Sequence, residues 1–270
     1  MEKMISQKLT ILVIAKNEES QIGPCLDSVG DFAPVLLLDD HSTDKTVTIA
    51  RPKKAKIFHY QGEITNFSAL RNFLKDKAST PWIFYLDADE RLTPDLKKEI
   101  TELIKNPAPN LAAAAIPRQN YYLGQPVRFG GSYPDYVVRL FYKPRLIAWQ
   151  GELHEQPKLN GNLLHFKAHL LHFTHRDLSS MMTKTISWTQ KEAELLYFDH
   201  SRLTGRPHPP VVPWRIFKMM FAKAWERLVR QSAWRDGTIG WINSLFEVFN
   251  TFIIYARLWE MQQNPPSAKR

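Results

Sequence analysis

The polarity pattern of the first hundred residues switches repeatedly between two periods. Leu9–Ala15 (LTILVIA) is an almost uninterrupted apolar, β-branched run, the signature of a strand buried on both faces. Over 18–29 the apolar residues Ile22, Cys25, Leu26 and Val29 fall at helical spacing, with Gly30 as the stop. Residues 35–38 predict a second buried strand ending in Asp39-Asp40. Ser42 or Thr43 is placed to cap a helix running to Ala50, and 55–60 predicts a third strand. A helix is expected over 66–78 with Phe67, Leu70, Phe73 and Leu74 on one face, then a fourth strand over 82–86 that runs into Asp87-Ala88-Asp89-Glu90. Thr93-Pro94-Asp95 sets a cap before a proline at the first helical position, opening a helix that ends near Lys105. Four such repeats predict a mostly parallel sheet between helices, in which ligands lie beyond the carboxyl ends of the strands. Asn17, Asp39 and Asp87 all fall at those ends.

After Pro107 the pattern changes. Residues 111–174 carry more aromatics, glycines and short β-like runs, which predict antiparallel strands and loops around the sheet. A helix is expected over 178–197, a proline-rich linker over 208–213, and a basic helix over 214–234. In that last helix Phe217, Met220, Phe221, Ala224 and Leu228 share one face, and Arg215, Lys218, Lys223, Arg227 and Arg230 occupy the other side. A helix of this kind lies in a headgroup layer with its charges near anionic lipid. Together with Trp234, Trp241, Trp259 and the apolar stretch 239–254, it predicts peripheral association with an anionic membrane surface. The stretch 239–259 is interrupted by Asn243, Glu247, Asn250 and Arg257, so no spanning helix is expected, nor does the start of the chain read as a secretion signal.

With 44% apolar and 23% charged residues the composition is that of a globular protein. A single cysteine, Cys25, excludes a disulfide framework and a cysteine-rich zinc site and makes the cytoplasm the expected compartment. The net charge of +9 is unevenly placed: residues 1–100 hold 14 basic and 15 acidic residues, and 101–270 hold 22 and 12. The second part therefore calls for an anionic partner: nucleic acid, a membrane surface or a phosphorylated substrate.

Asp87-x-Asp89, directly after a buried strand, puts two carboxylates at a rigid edge where they could hold a hard divalent cation, whose other ligands come from water and substrate phosphates. The second acidic strand end, Asp39-Asp40, strengthens that reading. No P-loop and no dinucleotide glycine fingerprint follows any strand, which argues against a kinase, an ordinary NTPase and a nicotinamide dehydrogenase. His165, His169, His172 and His175 are dense, but β-like alternation does not put all four on one face, so a histidine zinc site is not expected.

Ile11-Leu-Val-Ile-Ala-Lys-Asn-Glu18, Leu38-Asp-Asp-His-Ser-Thr-Asp-Lys-Thr46, Asn66-Phe-Ser-Ala-Leu-Arg-Asn72 and Tyr85-Leu-Asp-Ala-Asp-Glu90 resemble successive motifs of the family 2 inverting glycosyltransferases. Pro117–Gly124, Tyr133–Asp135, Arg139–Phe141, Leu153–Glu155 and the ending Tyr255–Glu260 resemble the subgroup of lipopolysaccharide-core glucosyltransferases. The resemblance implies a GT-A type nucleotide-sugar-binding α/β fold with a helical, basic C-terminal extension. It divides the chain into a catalytic domain over 1–175, with a nucleotide and metal half (1–106) and an acceptor half (107–175), and a helical region over 176–270.

The same resemblance implies roles for individual residues. Lys16, Asn17 and Glu18 would line the nucleotide pocket, Asp39 would accept from a ring N–H of the base with Asp40 beside it, and Arg71 would lie on the nucleotide side. Asp87 would reach ribose and metal, Asp89 would ligate the metal directly, and His172 would approach metal or diphosphate. Glu155 is the expected general base, His154 orients it or meets the acceptor, and Glu152 is the competing base; in an extended segment the two glutamates point to opposite faces. The implied partners are a divalent cation (Mg2+ or Mn2+), a nucleotide sugar, with UDP and glucose expected, and a glycan or glycolipid acceptor at the inner face of the cytoplasmic membrane. Alternative acceptors are capsule glycan or glycoprotein. A basic nucleic-acid-binding module is the remote alternative, opposed by the acidic strand ends and the lack of a nucleic-acid motif.

Overall fold

The computed structural model describes residues 5–60, 67–150, 156–204 and 208–264, with 199–204 as backbone only. The apolar run at the start forms β1 (Leu9–Ala15), and its side chains alternate between two cores. Ile11 and Val13 enter one cluster with α1 (Ile22–Val29) and the helix at 94–105, whereas Leu12 enters the other with Leu70 and Leu74 of the helix at 67–77. Both faces of the strand are therefore buried, as its continuous hydrophobicity requires. β2 (Val35–Asp39) and β3 (Lys56–His59) add in parallel on one side, and β4 (Trp82–Tyr85) adds in parallel on the other.

Between these strands lie α2 (Thr46–Ala50), α3 (Phe67–Lys77), the two-residue β5 (Glu90–Arg91) and α4 (Pro94–Lys105). Thr93 caps α4, its side chain accepting from the Leu96 N–H, and Gly30 closes α1 at φ 57 with its N–H bonded to the Leu26 carbonyl. Beyond β4 the sheet becomes antiparallel through β8 (Asp135–Tyr142) and β6 (Leu111–Tyr122), then continues through β12 (Leu170–His172) to β5; β11 (Asn162–His165) joins β6 in parallel, and the short β7 (Gln125–Val127) pairs antiparallel with the end of β6. The path β3-β2-β1-β4-β8-β6-β12-β5 is thus a mixed sheet. β9 (Leu146–Gln150) and β10 (Gln156–Leu159) form a separate antiparallel pair.

Two local expectations fail for one reason. α1 starts at Ile22 instead of 18, and α2 starts at Thr46 without a cap from Ser42 or Thr43. The amides of Asn17, Glu18 and Glu19 donate to Ser42 Oγ, Thr46 Oγ1 and Asp44 Oδ2, so the two loops consume each other's capping groups. Phe67 also departs from the expected buried face of α3 and is 55% exposed.

The described residues cluster into two units, 1–119 with 134–172, and 120–133 with 173–270. In the second, α5 (Leu178–Thr204), α6 (Pro213–Trp225) and α7 (Thr238–Gln263) pack together, with Val211, Tyr255 and Leu258 at the centre of a small core. The single helix expected over 214–234 is broken. Residues 226–230 form a π turn, Ser232 adopts φ 52, and the Gln231 carbonyl is drawn off to accept from the Gly130 N–H. Among the described residues α7 alone is long and apolar enough to cross a membrane, by length and composition only. Its polar Asn243, Ser244 and Thr251 are buried, and Asn250 accepts from Thr185 of α5.

Candidate active site

The carboxyl ends of β1, β2 and β4 bring the sequence-predicted residues together in the first unit. Asn17 sits at φ 54 with its side-chain oxygen accepting from the Thr43 N–H (2.8 Å), so it ties the loop after β1 to the loop after β2. Lys16 Nζ lies 3.5 Å from Asp40 Oδ2. Asp39 and Asp40 are buried; Asp39 accepts from the Ser42 N–H and lies 3.3 Å from His59 Nδ1, and Asp40 lies 3.4 Å from His41 Nδ1. The result is an acidic floor with two imidazoles at its rim.

Next to it, carboxylates and guanidinium groups interlock. β8 runs antiparallel to β4 with Leu140 opposite Phe84, which carries Arg139 to the end of β4. Its Nη2 binds Asp87 and, at 2.6 Å, the fully buried Glu90. Glu90 also accepts from the Asp87 N–H (3.0 Å), so the motif residue three positions on fixes the backbone at Asp87. Arg118 pairs with Asp135 at 2.7 Å and approaches Glu90 at 3.6 Å, and Arg71 lies 3.9 Å from Asp87 while its guanidinium covers the ring of Trp149.

Desolvation raises the Asp87 carboxyl, but Arg139 and then Arg71 outweigh it and hold the group down at about 2. For Glu90 desolvation prevails over the pull of Arg139, and the negative Asp87 adds to it, so its pKa lies above the ordinary range. Asp87 thus carries the charge that the arginines neutralise.

Asp89 is turned elsewhere. Its Oδ2 is 3.4 Å from His172 Nε2, the side chains being 24% and 14% exposed. β12 pairs with β5 so that His172 lies opposite Glu90, one residue from Asp89. Among the described residues no group of three or more His, Cys, Asp or Glu side chains converges as a complete metal cage. An oxygen and a nitrogen donor side by side nevertheless fit Mg2+ or Mn2+, which take few protein ligands and fill their shell with diphosphate oxygens and water. The other histidines diverge: His165 packs edge-on to Tyr136, His169 offers its carbonyl to Thr93, and His175 lies against Tyr122 in the second unit. Glu152, His154 and Glu155 lie outside the described residues.

Sequence reasoning left Glu90, Arg118 and Arg139 without roles, although all three stand inside motifs already singled out. Arg139 is marked by being a charge between the apolar Val138 and Leu140, whereas Glu90 and Arg118 stand among polar or charged neighbours that give no such signal. His41 and His59 carried no signal beyond their place at strand ends.

Residues 10–182 match the family model described as Glycosyl transferase family 2. The chain is 23% identical over 270 residues to the lipopolysaccharide core biosynthesis glycosyltransferase LpsC of Rhizobium meliloti (strain 1021), covering 93% of this chain and 92% of that protein. It is 28% identical over 168 residues to the SPbeta prophage-derived glycosyltransferase SunS of Bacillus subtilis (strain 168), covering 61% of this chain and 38% of that protein. Among solved structures it is similar to the mannosyltransferase PcManGT from Pyrobaculum calidifontis in complex with GDP-Man and Mn2+, with a TM-score of 0.50 at 12% identity over 94% of this chain and 86% of that one. That likeness is one of fold, and the mixed sheet is of the GT-A type.

Proposed function

The chain belongs to glycosyl transferase family 2 and is a glycosyltransferase, and from that premise we propose that it is a metal-dependent inverting hexosyltransferase. In this reading it moves glucose from a UDP-sugar to a lipopolysaccharide-core or other cell-envelope glycan, from the cytoplasmic side of the membrane. The observation that carries the chemistry is the division of labour at the end of β4: Asp87 faces arginines, and Asp89 faces His172. Similarity to LpsC over nearly the full length of both chains supports the acceptor class.

Asp39 accepts from a ring N–H of the base, and Asp87, held still by Arg139, reaches the ribose. Asp89 and His172 would hold the cation, with Asp87 as a further candidate ligand. When bound, the cation supplies positive charge to the departing diphosphate. The acceptor hydroxyl attacks the anomeric carbon opposite the diphosphate. The new carbon–oxygen bond forms as the old one breaks, the diphosphate leaves with the electron pair, and the hydroxyl proton passes to Glu155. Configuration inverts, and no covalent enzyme intermediate is needed. Residues 1–175 would do this work, with 107–175 on the acceptor side, and the helical region 176–270 would associate with the membrane.

Glu155→Gln is expected to lower kcat by about 10²–10⁴-fold while donor binding by calorimetry is unchanged. Near-normal turnover in that variant, with loss in Glu152→Gln instead, would transfer the role to Glu152.

A further inference from the structure

In the second unit, α6 turns its aromatic residues away from the core. Ile216 and Met219 face inward onto the cluster of Val211, Tyr255 and Leu258. A half-turn round the helix, Trp214, Phe217, Phe221 and Trp225 are 71%, 67%, 70% and 53% exposed, and Val229 continues the line. No residue of α6 is fully buried. Beside the ridge an apolar groove of about 430 Å3 opens between α6 and α7, lined by Ile216, Phe217, Met220, Phe252 and Trp259. A contiguous exposed patch of this kind marks an interaction surface.

Charge chooses the partner. Residues 213–235 contain six basic side chains, Arg215, Lys218, Lys223, Arg227, Arg230 and Arg235, against one acidic, Glu226. Lys223 is taken up by Glu226 at 2.8 Å, and Arg227 by the Gly130 carbonyl, while Lys218 and Arg230 are exposed. Tryptophans at both ends of the ridge, phenylalanines between them and basic groups at the flank form the side-chain set of an interfacial helix, apolar atoms below the headgroups and cations among them. A protein interface enriches the same aromatic residues, and it is the one-sided positive charge along 213–235 that favours anionic lipid.

We infer that the outward face of α6, with the adjoining groove, docks on the surface of an anionic lipid bilayer. The ridge enters the headgroup–acyl boundary and the groove takes acyl-chain segments. The inference deepens the reading of an envelope acceptor presented at the membrane but does not require it, because vesicle binding is measurable without acceptor.

The test is sedimentation of the full chain with vesicles of phosphatidylcholine alone or mixed with phosphatidylglycerol, with tryptophan emission read in parallel. Wild-type protein should bind the anionic vesicles with a blue shift, weakly the neutral ones, and less in high salt. Phe217→Ser/Phe221→Ser should reduce the partition coefficient at least about tenfold, and Lys218→Glu/Arg230→Glu should remove the preference for phosphatidylglycerol, both with unchanged donor binding. Equal binding by wild type and the serine variant overturns the inference. So does concentration-dependent self-association through this face without vesicle affinity. Loss of donor hydrolysis in all variants and wild type would instead count against the proposed reaction.

Discussion

Asp89→Ala is expected to abolish measurable transfer while the protein stays folded. Asp89 is the carboxylate at the end of β4 that lies 3.4 Å from His172 Nε2. Its removal leaves one nitrogen donor where an oxygen and a nitrogen stood. Charge stabilisation by a cation at a departing phosphoryl group is worth several kcal/mol, which corresponds to about a thousandfold or more in kcat. The same loss should appear without turnover, as a weakened calorimetric affinity for Mn2+ in the presence of UDP. His172→Ala should weaken Mn2+ less, since a charged oxygen donor remains. Asp89→Ala with normal Mn2+ affinity would remove Asp89 from the metal site.

Arg139→Met is expected to give the largest loss of stability. The guanidinium bridges Asp87 and Glu90, and Glu90 is completely buried. Removing one partner of a buried ion pair leaves an uncompensated charge and costs about 3–5 kcal/mol. Arg118, 3.6 Å from Glu90 but already engaged with Asp135, can offset only part of this. Glu90→Gln should cost less, because Arg139 keeps Asp87.

The deficit in Arg139→Met has a pH signature. Without the arginine, the Glu90 carboxyl, already raised by burial, rises further above its unfolded value, and Asp87 loses the partner that lowered it. Both effects penalise the variant where carboxylates are ionised, so the difference from wild type should be full near neutrality. It should already be smaller at about pH 4.3, because Glu90 protonates above the ordinary Glu range, and smaller still as pH falls toward about 2, where Asp87 protonates in wild type. Urea unfolding over this pH range reads it. A pH-independent difference would mean that lost packing, not charge, is responsible.

The nucleotide half was legible because β1, β2 and β4 are almost unbroken apolar runs bounded by polar loops. Leu9–Ala15 and Val35–Asp39 could hardly be anything but buried strands, and their acidic ends announced the site. What escaped were contacts between loops and between distant strands. Ser42 and Thr43 have the composition of helix caps, yet Asn17 recruits them across 25 residues or more. Arg139 lies 52 residues from Asp87, and only the antiparallel pairing of β8 with β4 brings them together. Local periodicity cannot report such registers. Helical spacing over 214–234 likewise could not foresee that Gly130, about a hundred residues earlier, would claim the Gln231 carbonyl and end the helix.

The most direct test of the reaction is thermal unfolding of the full chain against a panel of nucleotide sugars, each with Mg2+, with Mn2+ and with EDTA. UDP-glucose at 100 times its Kd should stabilise the protein by about 2.7 kcal/mol, only with a cation present, and Asp89→Ala should not respond. Stabilisation by no nucleotide sugar under any of these conditions, or equal stabilisation in EDTA, would contradict a metal-dependent nucleotide-sugar transferase.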